Sequence, residues 1–318
     1  MSVNDSNSAS TAGVQDAVLV QFAHAYLDQQ RSERRWRWFW RLVWLLVALT
    51  LLVGTWRGMP SHSTPSAPHT ALVEVRGGIA ADAEASADRL MASLRDAFED
   101  VGSRAVVLRI NSPGGSPVQA GLVNDEIRRL KALHKKPVYA ICEEMCASAA
   151  YYIAVAADDI YVDKASIVGS IGVLMDGFGF VGLMDKLGVE RRLMTSGSNK
   201  GMLDPYSPRD PQQEQMAQAM LDQIHEQFIG VVREGRGKRL KESENTFSGL
   251  FWNGQQAVDQ GLADHLGSLD QVAREVVKAE DIVDYTQRED LTERLAKRFG
   301  AAVGAGAVDS MRSGVGLR

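Results

Sequence analysis

The stretch R-A-V-V-L-R-I-N-S-P-G-G-S, residues 104–116, determines the fold class. Its first seven residues are a short run rich in Val, Leu and Ile, which predicts a strand buried on both faces. The N-S-P-G-G-S segment at 111–116 predicts a loop, because Pro and adjacent glycines interrupt regular strands. In open α/β sheets, ligands bind at the carboxyl end of such strands, so this loop is a candidate site. An ordinary Gly-Pro turn is the alternative.

Apolar patterns on both sides of this stretch predict alternating strands and helices. Strands are predicted at 71–75, 104–110, 136–142, 159–163, 171–175 and 191–195, and helices at 82–98, 117–133, 146–157, 211–234 and 253–261. Ser207 is expected to open the long helix, and Asn253 and Ser268 are expected to act as N-caps of later helices. The alternation indicates an α/β protein with parallel βαβ units.

Composition excludes several classes of protein. With 45% hydrophobic and 24% charged residues among 318, most of the chain is expected to fold. The net charge of -5 argues against a nucleic-acid partner. Two cysteines, Cys142 and Cys146, cannot build a disulfide framework and lack the second pair of a zinc site, so no metal and no cofactor is predicted. Free thiols and a Cys142–Cys146 disulfide both remain open.

An apolar segment near the N-terminus predicts a membrane anchor at residues 36–57. Five arginines (31, 34, 35, 37 and 41) precede its uncharged part, residues 42–56, and Arg57 follows that part. This asymmetry places the N-terminus in the cytoplasm and the rest of the chain across the membrane. The uncharged part, 42–56, spans about 22 Å as a helix, so flanking tryptophans must extend it towards the roughly 30 Å core of a bilayer. A buried helix of a soluble domain and a cleavable signal are the alternatives.

Two residues are candidates for nucleophilic catalysis. Ser148 follows a strand and a tight turn and precedes a helix, where unpaired backbone N–H groups could stabilise an oxyanion; a simple N-cap serine is the alternative. Lys200 lies in a T-S-G-S-N-K-G loop at 195–201, where an exposed lysine is the ordinary case. A lysine base has to be neutral, which requires desolvation. None of the six histidines has a motif context: His24, His62, His69, His134, His225 and His265.

Five motifs in one order resemble the bacterial serine peptidases of the signal peptide peptidase A type. They are N-S-P-G-G at 111–115, A-S-A-A-Y-Y at 147–152, G-S-I-G-V at 169–173, S-G-S-N-K at 196–200 and G-L-A-D-H-L-G at 261–267. Ala149 and Ala150 replace two glycines of the family pattern; alanine retains its N–H but could narrow the pocket.

The resemblance implies a catalytic mechanism and an architecture. Ser148 would be the nucleophile, Lys200 the general base and Ser170 a supporting hydroxyl that bonds to the lysine. The amide of Gly114 or Gly115, with that of Ala149, would form the oxyanion hole. The implied fold is crotonase/Clp-like, with repeated ββα units, and the implied assembly is a homo-oligomer in which the lysine can come from a neighbouring protomer.

The resulting expectation is a serine endopeptidase at the outer face of a bacterial cytoplasmic membrane. Its expected partners are membrane lipid and peptides, namely signal peptides or fragments of membrane proteins. The predicted segments are a cytoplasmic tail (1–35), a membrane anchor (36–57), a linker (58–70), a Ser/Lys peptidase domain (71–280) and a C-terminal tail (281–318). Two alternatives remain: a crotonase-type acyl-thioester enzyme, and an inactive membrane scaffold of the same fold.

The expected topology can be tested with protease added to intact spheroplasts. Because the arginines precede the anchor, the C-terminal domain should be digested without lysis. The matched control is lysed spheroplasts, in which a cytoplasmic marker is also digested. Protection of the domain until lysis would contradict the external location.

Overall fold

The computed structural model describes residue 36, residues 38–50 and residues 67–288. The chain divides into two compact units, Met1–Thr64 and Pro65–Arg318. In the first unit, residues 38–50 form a helix, α1, in which the rings of Phe39 and Trp40 meet edge to face at 6.1 Å. Among the described residues, no helix combines the length and the apolar character that spanning a membrane requires. Residues 51–57 of the predicted anchor and most of the predicted linker lie outside the described residues.

The described residues of the second unit are built around an eight-stranded sheet. Its strands are β1 (His69–Arg76), β2 (Ser103–Ser112), β3 (Val138–Ala147), β4 (Asp159–Val162), β5 (Ile167–Gly169), β6 (Phe251–Asn253), β7 (His265–Leu266) and β8 (Ile282–Asp284). The main path runs β6-β5-β3-β2-β1-β8, with β4 paired to β3 and β7 paired to β4. All pairs are parallel except β5 with β6, so the parallel α/β prediction is confirmed for all of the sheet but this edge.

Helices connect the strands, and most of them cover one face of the sheet. They are α2 (Ala87–Glu99), α3 (Pro117–His134), α4 (Ala149–Ala154), α5 (Val181–Leu187), α6 (Pro211–Arg236), α7 (Gly254–Asp259) and α8 (Leu269–Gln271), the last continuing as a π-helix over Val272–Val277. On the covered face, Val73, Leu108 and Ala140 of three adjacent strands enter the main core. On the opposite face, Val107 and Ile141 belong to a smaller cluster with Val272. The sheet is therefore buried on both sides along its central strands, as the apolar run at 104–110 predicts.

The predictions fail in the segment 172–210, which we call the arm. The strands expected at 171–175 and 191–195 are absent; β5 ends at Gly169, and the arm contains only α5. None of its residues is buried. An apolar run forms a strand only where another strand offers backbone partners, and no strand of the described residues pairs with the arm.

Two boundaries also differ from expectation. Helix α6 begins after Asp210, whose carboxylate accepts hydrogen bonds from the N–H groups of Gln212 and Gln213, so Asp210 and not Ser207 is the N-cap. Asn253 is confirmed as an N-cap, with a capping box to Gln256. The sheet includes β8, which lies just beyond the predicted domain end at 280 and pairs with β1.

A buried ion pair attaches α6 to the sheet. The Arg236 side chain is 1% exposed, and it donates to both carboxylate oxygens of Asp264 at 2.8 Å and to the carbonyl of Gly261. Asp264 also accepts the N–H of Ile160 in β4. Burial raises the pKa of the Asp264 carboxyl, but the hydrogen bond and charge of Arg236 outweigh it, so the pKa lies below its ordinary value.

Replacement of Asp264 by alanine is expected to destabilise the folded domain by about 3–5 kcal/mol, because it leaves Arg236 buried without its counter-charge. The matched control is Glu190→Ala, which removes the exposed partner of Arg192 and should leave the urea midpoint unchanged. Since the folded pKa of Asp264 is depressed, its contribution is present above the unfolded value of about 3.9 and is lost as the pH falls through the folded value. Equal urea midpoints for both variants would contradict this assignment.

Candidate active site

Ser148 lies at the junction between β3 and α4. Its backbone has φ 54° and ψ -124°, a left-handed conformation that non-glycine residues rarely adopt. Its N–H donates to the carbonyl of Gly169 at 2.8 Å, and its carbonyl accepts the N–H of Tyr152 at 3.0 Å. The side chain is partly exposed and caps no helical N–H. A sharp strand-to-helix turn of this kind presents the nucleophile in α/β-hydrolases. Because the Ser148 side chain makes no capping hydrogen bond, the alternative of a simple N-cap serine is disfavoured.

Small residues allow this turn to pack tightly, and two side chains fix the helix that follows it. Ala149 and Ala150 are both buried at the start of α4. The buried Tyr151 hydroxyl donates to the carbonyl of Leu262 at 2.7 Å, and burial raises the pKa of this phenol. The Asn124 amide on α3 donates to the carbonyl of Tyr152. The orientation of α4 is therefore set by contacts with two other elements.

The glycine loop 111–116 lies directly against Ser148. Gly114 has φ 99°, and a Cβ placed on it would be 2.7 Å from both the Ser148 Cβ and the Ala147 carbonyl oxygen. Both the backbone conformation and the lack of space therefore require glycine at this position. The N–H of Gly114 donates to the Ser112 hydroxyl at 3.1 Å.

Gly115 is held by a strand-like bridge to Ile79, just after β1. The Ile79 N–H donates to the carbonyl of Gly114 at 2.9 Å, and the Ser116 N–H donates to the carbonyl of Ile79 at 2.8 Å. A Cβ on Gly115 would be 2.2 Å from the Ile79 carbonyl oxygen. No sequence pattern pointed to Ile79, because the bridge joins residues that are far apart in the chain.

Among the backbone N–H groups around Ser148 that have no acceptor in the described part of the chain, two lie where an oxyanion could be bound. They are those of Gly115, on the loop, and Ala149, at the first position of α4. The N–H of Gly114 is engaged with Ser112. Unpaired N–H groups at a helix start and on a glycine loop are the donors that stabilise an oxyanion.

Ser170 follows the strand next to that of Ser148. Ala147 and Gly169 are partners in the parallel β3–β5 pair, so the two serines are the next residues on neighbouring strands, which lie about 4.8 Å apart. Ser170 also has a left-handed φ, 53°, and its N–H donates to the carbonyl of Leu250 at 2.7 Å. The structure thus brings Ser148, Gly114, Ala149 and Ser170 together.

Lys200 lies elsewhere, on the exposed arm. Its backbone N–H donates to the carbonyl of Gly197 at 3.1 Å in a turn. Its side chain is exposed, and in the described ranges it forms no hydrogen bond with Ser148 or Ser170. The same ranges contain no cluster of His, Cys, Asp and Glu suited to a metal ion.

Sequence reasoning missed one contact behind Ser170. The His225 ring on α6 contacts the carbonyl of Ile171 at 3.1 Å through Nε2, which holds the chain just beyond Ser170. Helical periodicity places His225 next to the inward-facing Ile224 of the predicted helix, but it could not show that this side chain reaches the end of β5.

Comparison with known proteins shows that the chain is similar to peptidases. Peptidase family S49 matches residues 131–283. The putative protease MJ0651 of Methanocaldococcus jannaschii is 31% identical over 223 residues, which cover 66% of this chain and 70% of that protein. The chain therefore belongs to peptidase family S49, and the resemblance to serine peptidases of the signal peptide peptidase A type is confirmed.

Two further relatives show how the matched region recurs. The putative signal peptide peptidase SppA of Enterococcus faecium is 29% identical over 196 residues, covering 62% of this chain and 57% of that protein. The Na(+)/H(+) antiporter NhaA of Brucella melitensis is 47% identical over 176 residues, covering 55% of this chain. The chain spans about a quarter of that antiporter's length, 24%.

Gly114→Ala is expected to remove nearly all reactivity of Ser148, because the new methyl group would displace the Ser148 backbone or the loop. The same overpacking should destabilise the fold by about 1–3 kcal/mol. The matched control is Gly78→Ala, where a Cβ meets no atom within 4 Å. The measurements are the rate of labelling by a fluorophosphonate probe and the thermal midpoint. Labelling of Gly114→Ala at the rate of the control would contradict the close packing.

Proposed function

We propose that this protein is a membrane-anchored serine endopeptidase in which Ser148 is the nucleophile and Lys200 the general base. The observation that carries the proposal is the left-handed strand-to-helix turn at Ser148, with the glycine loop packed against it. Such strained backbone is retained where the surrounding structure enforces it, typically at a reacting residue. Membership of family S49 supports peptide-bond hydrolysis as the reaction.

The reaction would proceed in two proton-coupled steps. The neutral Lys200 amine takes the Ser148 hydroxyl proton as the oxygen attacks the peptide carbonyl, and the Gly115 and Ala149 N–H groups stabilise the resulting oxyanion. The lysine then gives its proton to the leaving amine. Water enters, loses a proton to Lys200 and hydrolyses the acyl-enzyme, which regenerates Ser148.

We assign Ser170 a supporting role in this reaction. It directly follows β5, the strand that pairs with the end of β3 just before Ser148, and its φ is likewise positive. A hydroxyl at this position can bond to the lysine amine without introducing a negative charge that would favour the protonated form. Ser170 would therefore orient Lys200 while leaving it able to act as a base.

We propose that Lys200 is supplied within a homo-oligomer. The arm that carries it exposes many large apolar side chains: Leu174, Met175, Phe178, Leu183, Leu187, Val189, Leu193 and Met194. Apolar exposure on this scale is typical of a surface covered by a partner. Packing of the arm against a neighbouring copy would bury these side chains and desolvate Lys200 at that copy's Ser148.

The substrate proposal is peptides left in or near the membrane, including residual signal peptides. One relative is named a putative signal peptide peptidase, and that name supports the same substrate class for this chain. The anchor at 36–57, with arginines before it, would hold the peptidase domain (71–280) at the outer face of a bacterial cytoplasmic membrane. Membrane lipid is therefore an expected partner of the protein.

Mixing two inactive variants tests both the dyad and its location. Ser148→Ala and Lys200→Ala should each lose nearly all turnover of an unstructured apolar peptide, with unchanged thermal midpoints. If the dyad forms between copies, unfolding the two variants together and refolding them should restore activity at about one quarter of the sites, since those combine an intact serine with an intact lysine. Lys186→Ala, another lysine of the arm, is the matched control and should retain full turnover.

Other outcomes separate the alternatives. No recovery in the mixture would place the dyad within one copy and overturn the shared site. Full turnover in either single variant would reject the Ser/Lys assignment. An oligomer that cleaves no peptide and takes no serine probe would favour the scaffold, and turnover of an acyl-thioester would favour the crotonase-type enzyme.

A further inference from the structure

Strand β3 contains a wide bulge with a cysteine at each side. Cys142 pairs with Ile110 of β2, and the next pair along the ladder is Cys146 with Ser112. Four residue steps on β3 therefore correspond to two steps on β2. The intervening Glu143, Glu144 and Met145 are at least partly exposed, whereas both cysteines are buried. The bulge thus arches outwards between two buried thiols.

This register sets the distance between the two cysteines. In a regular strand, residues four apart are separated by about 13 Å, which is too far for a disulfide. Here each cysteine sits opposite a residue of β2, and those two residues are two steps apart, about 6.6 Å. The Cα atoms of Cys142 and Cys146 should lie at a similar separation, within but near the upper end of the range of about 4.4–6.8 Å found in disulfides.

The side chains of Cys142 and Cys146 lie on the same face of the sheet, so the two thiols can react with each other. Both cysteines belong to the main core, so both point to the same face of the sheet. Burial, followed by the interaction with Cys142, raises the pKa of the Cys146 thiol. As thiols, they are protected and slow to react. Reaction therefore requires the bulge to open, and its short exposed segment is the part of β3 least restrained by the core.

The pair is also coupled to the candidate active site. Cys146 lies on β3, two residues before Ser148. Its β2 partner, Ser112, accepts the N–H of Gly114, the glycine packed on Ser148. A shift of Cys146 towards Cys142 would therefore be transmitted both to the turn that holds Ser148 and to the glycine loop.

We propose that Cys142 and Cys146 form a reversible disulfide across the β3 bulge and that this oxidation slows the peptidase. The oxidant is an external disulfide, RSSR. One cysteine thiolate attacks it and releases RS⁻; the other cysteine then attacks the mixed disulfide and releases a second RS⁻. Each cysteine thiol gives up one proton, so the balance is two thiols plus RSSR giving one protein disulfide and two RSH.

The expected Cα separation of Cys142 and Cys146 lies near the upper limit found in disulfides, and this determines how easily the bond is reduced. A disulfide whose Cα separation lies near the upper limit draws the two backbone positions together and is strained. Strained disulfides are more readily reduced, which suits a regulatory bond better than a permanent one. The effect on turnover rests on the proposed function, whereas formation of the bond does not.

The test incubates the full-length protein in detergent micelles with reduced and oxidised glutathione at graded ratios. Turnover of an unstructured peptide is measured on part of each sample. The rest is quenched in acid, unfolded in urea and alkylated with iodoacetamide before the intact mass is measured, because the folded protein shields both thiols. The expected result is loss of two alkylation sites in one chain, without cross-linked dimers, and a fall in kcat of at least fivefold that dithiothreitol reverses. Cys142→Ala and Cys146→Ala should retain the reduced enzyme's kcat at every ratio.

Each remaining outcome is decisive. If both thiols are still alkylated at the most oxidising ratio, while the urea-unfolded protein forms the disulfide there, the proposal is wrong. Formation of the disulfide with unchanged kcat would also overturn it, because the bulge would not be coupled to Ser148. If the reduced protein has no turnover, the proposed function fails on its own, and the alkylation count and the labelling rate of Ser148 by fluorophosphonate still decide the disulfide and its coupling.

Discussion

The candidate site depends on one backbone constraint, the left-handed conformation of Ser148 between β3 and α4. Such a conformation costs about 1–3 kcal/mol and persists only where its surroundings enforce it. Here the enforcement comes from the Ser148 N–H bonded to Gly169 on the next strand and from Gly114 packed against the Ser148 Cβ. Both supports come from neighbouring strand ends, so the pairing order of the sheet determines the geometry of the site.

The rest of the domain keeps those strand ends in place. Helix α4 is fixed by the Tyr151 hydroxyl and by Asn124 on α3, and α6 is held to the sheet by the Arg236–Asp264 pair. The G-L-A-D motif is explained by the same contacts, since Gly261 and Asp264 supply the acceptors for Arg236. Its role is to anchor α6 against the strands. In the sequence the motif lies far from Ser148.

The arm and the β3 bulge are two departures from regular structure, and both bear on how the site would work. The arm leaves its apolar side chains in solvent and carries Lys200, which is consistent with a site completed by another copy. The bulge brings Cys142 and Cys146 to a spacing that a straight strand would forbid. In each case the irregular segment would connect the candidate site to something outside the single domain: a neighbouring copy for the arm, and an oxidant for the bulge.

The sequence by itself determined the elements that depend on local pattern. The buried strand at 104–110, the glycine loop, the N-cap Asn253 and the choice of Ser148 all followed from periodicity, turn chemistry and motif order. Tertiary structure decided what depends on distant partners: the bridge of Gly115 to Ile79, the contact of His225 with Ile171, the absence of strands in the arm and the register of the bulge. The reason is physical, because a strand, a bulge or a strained turn exists only through backbone groups supplied from elsewhere in the chain.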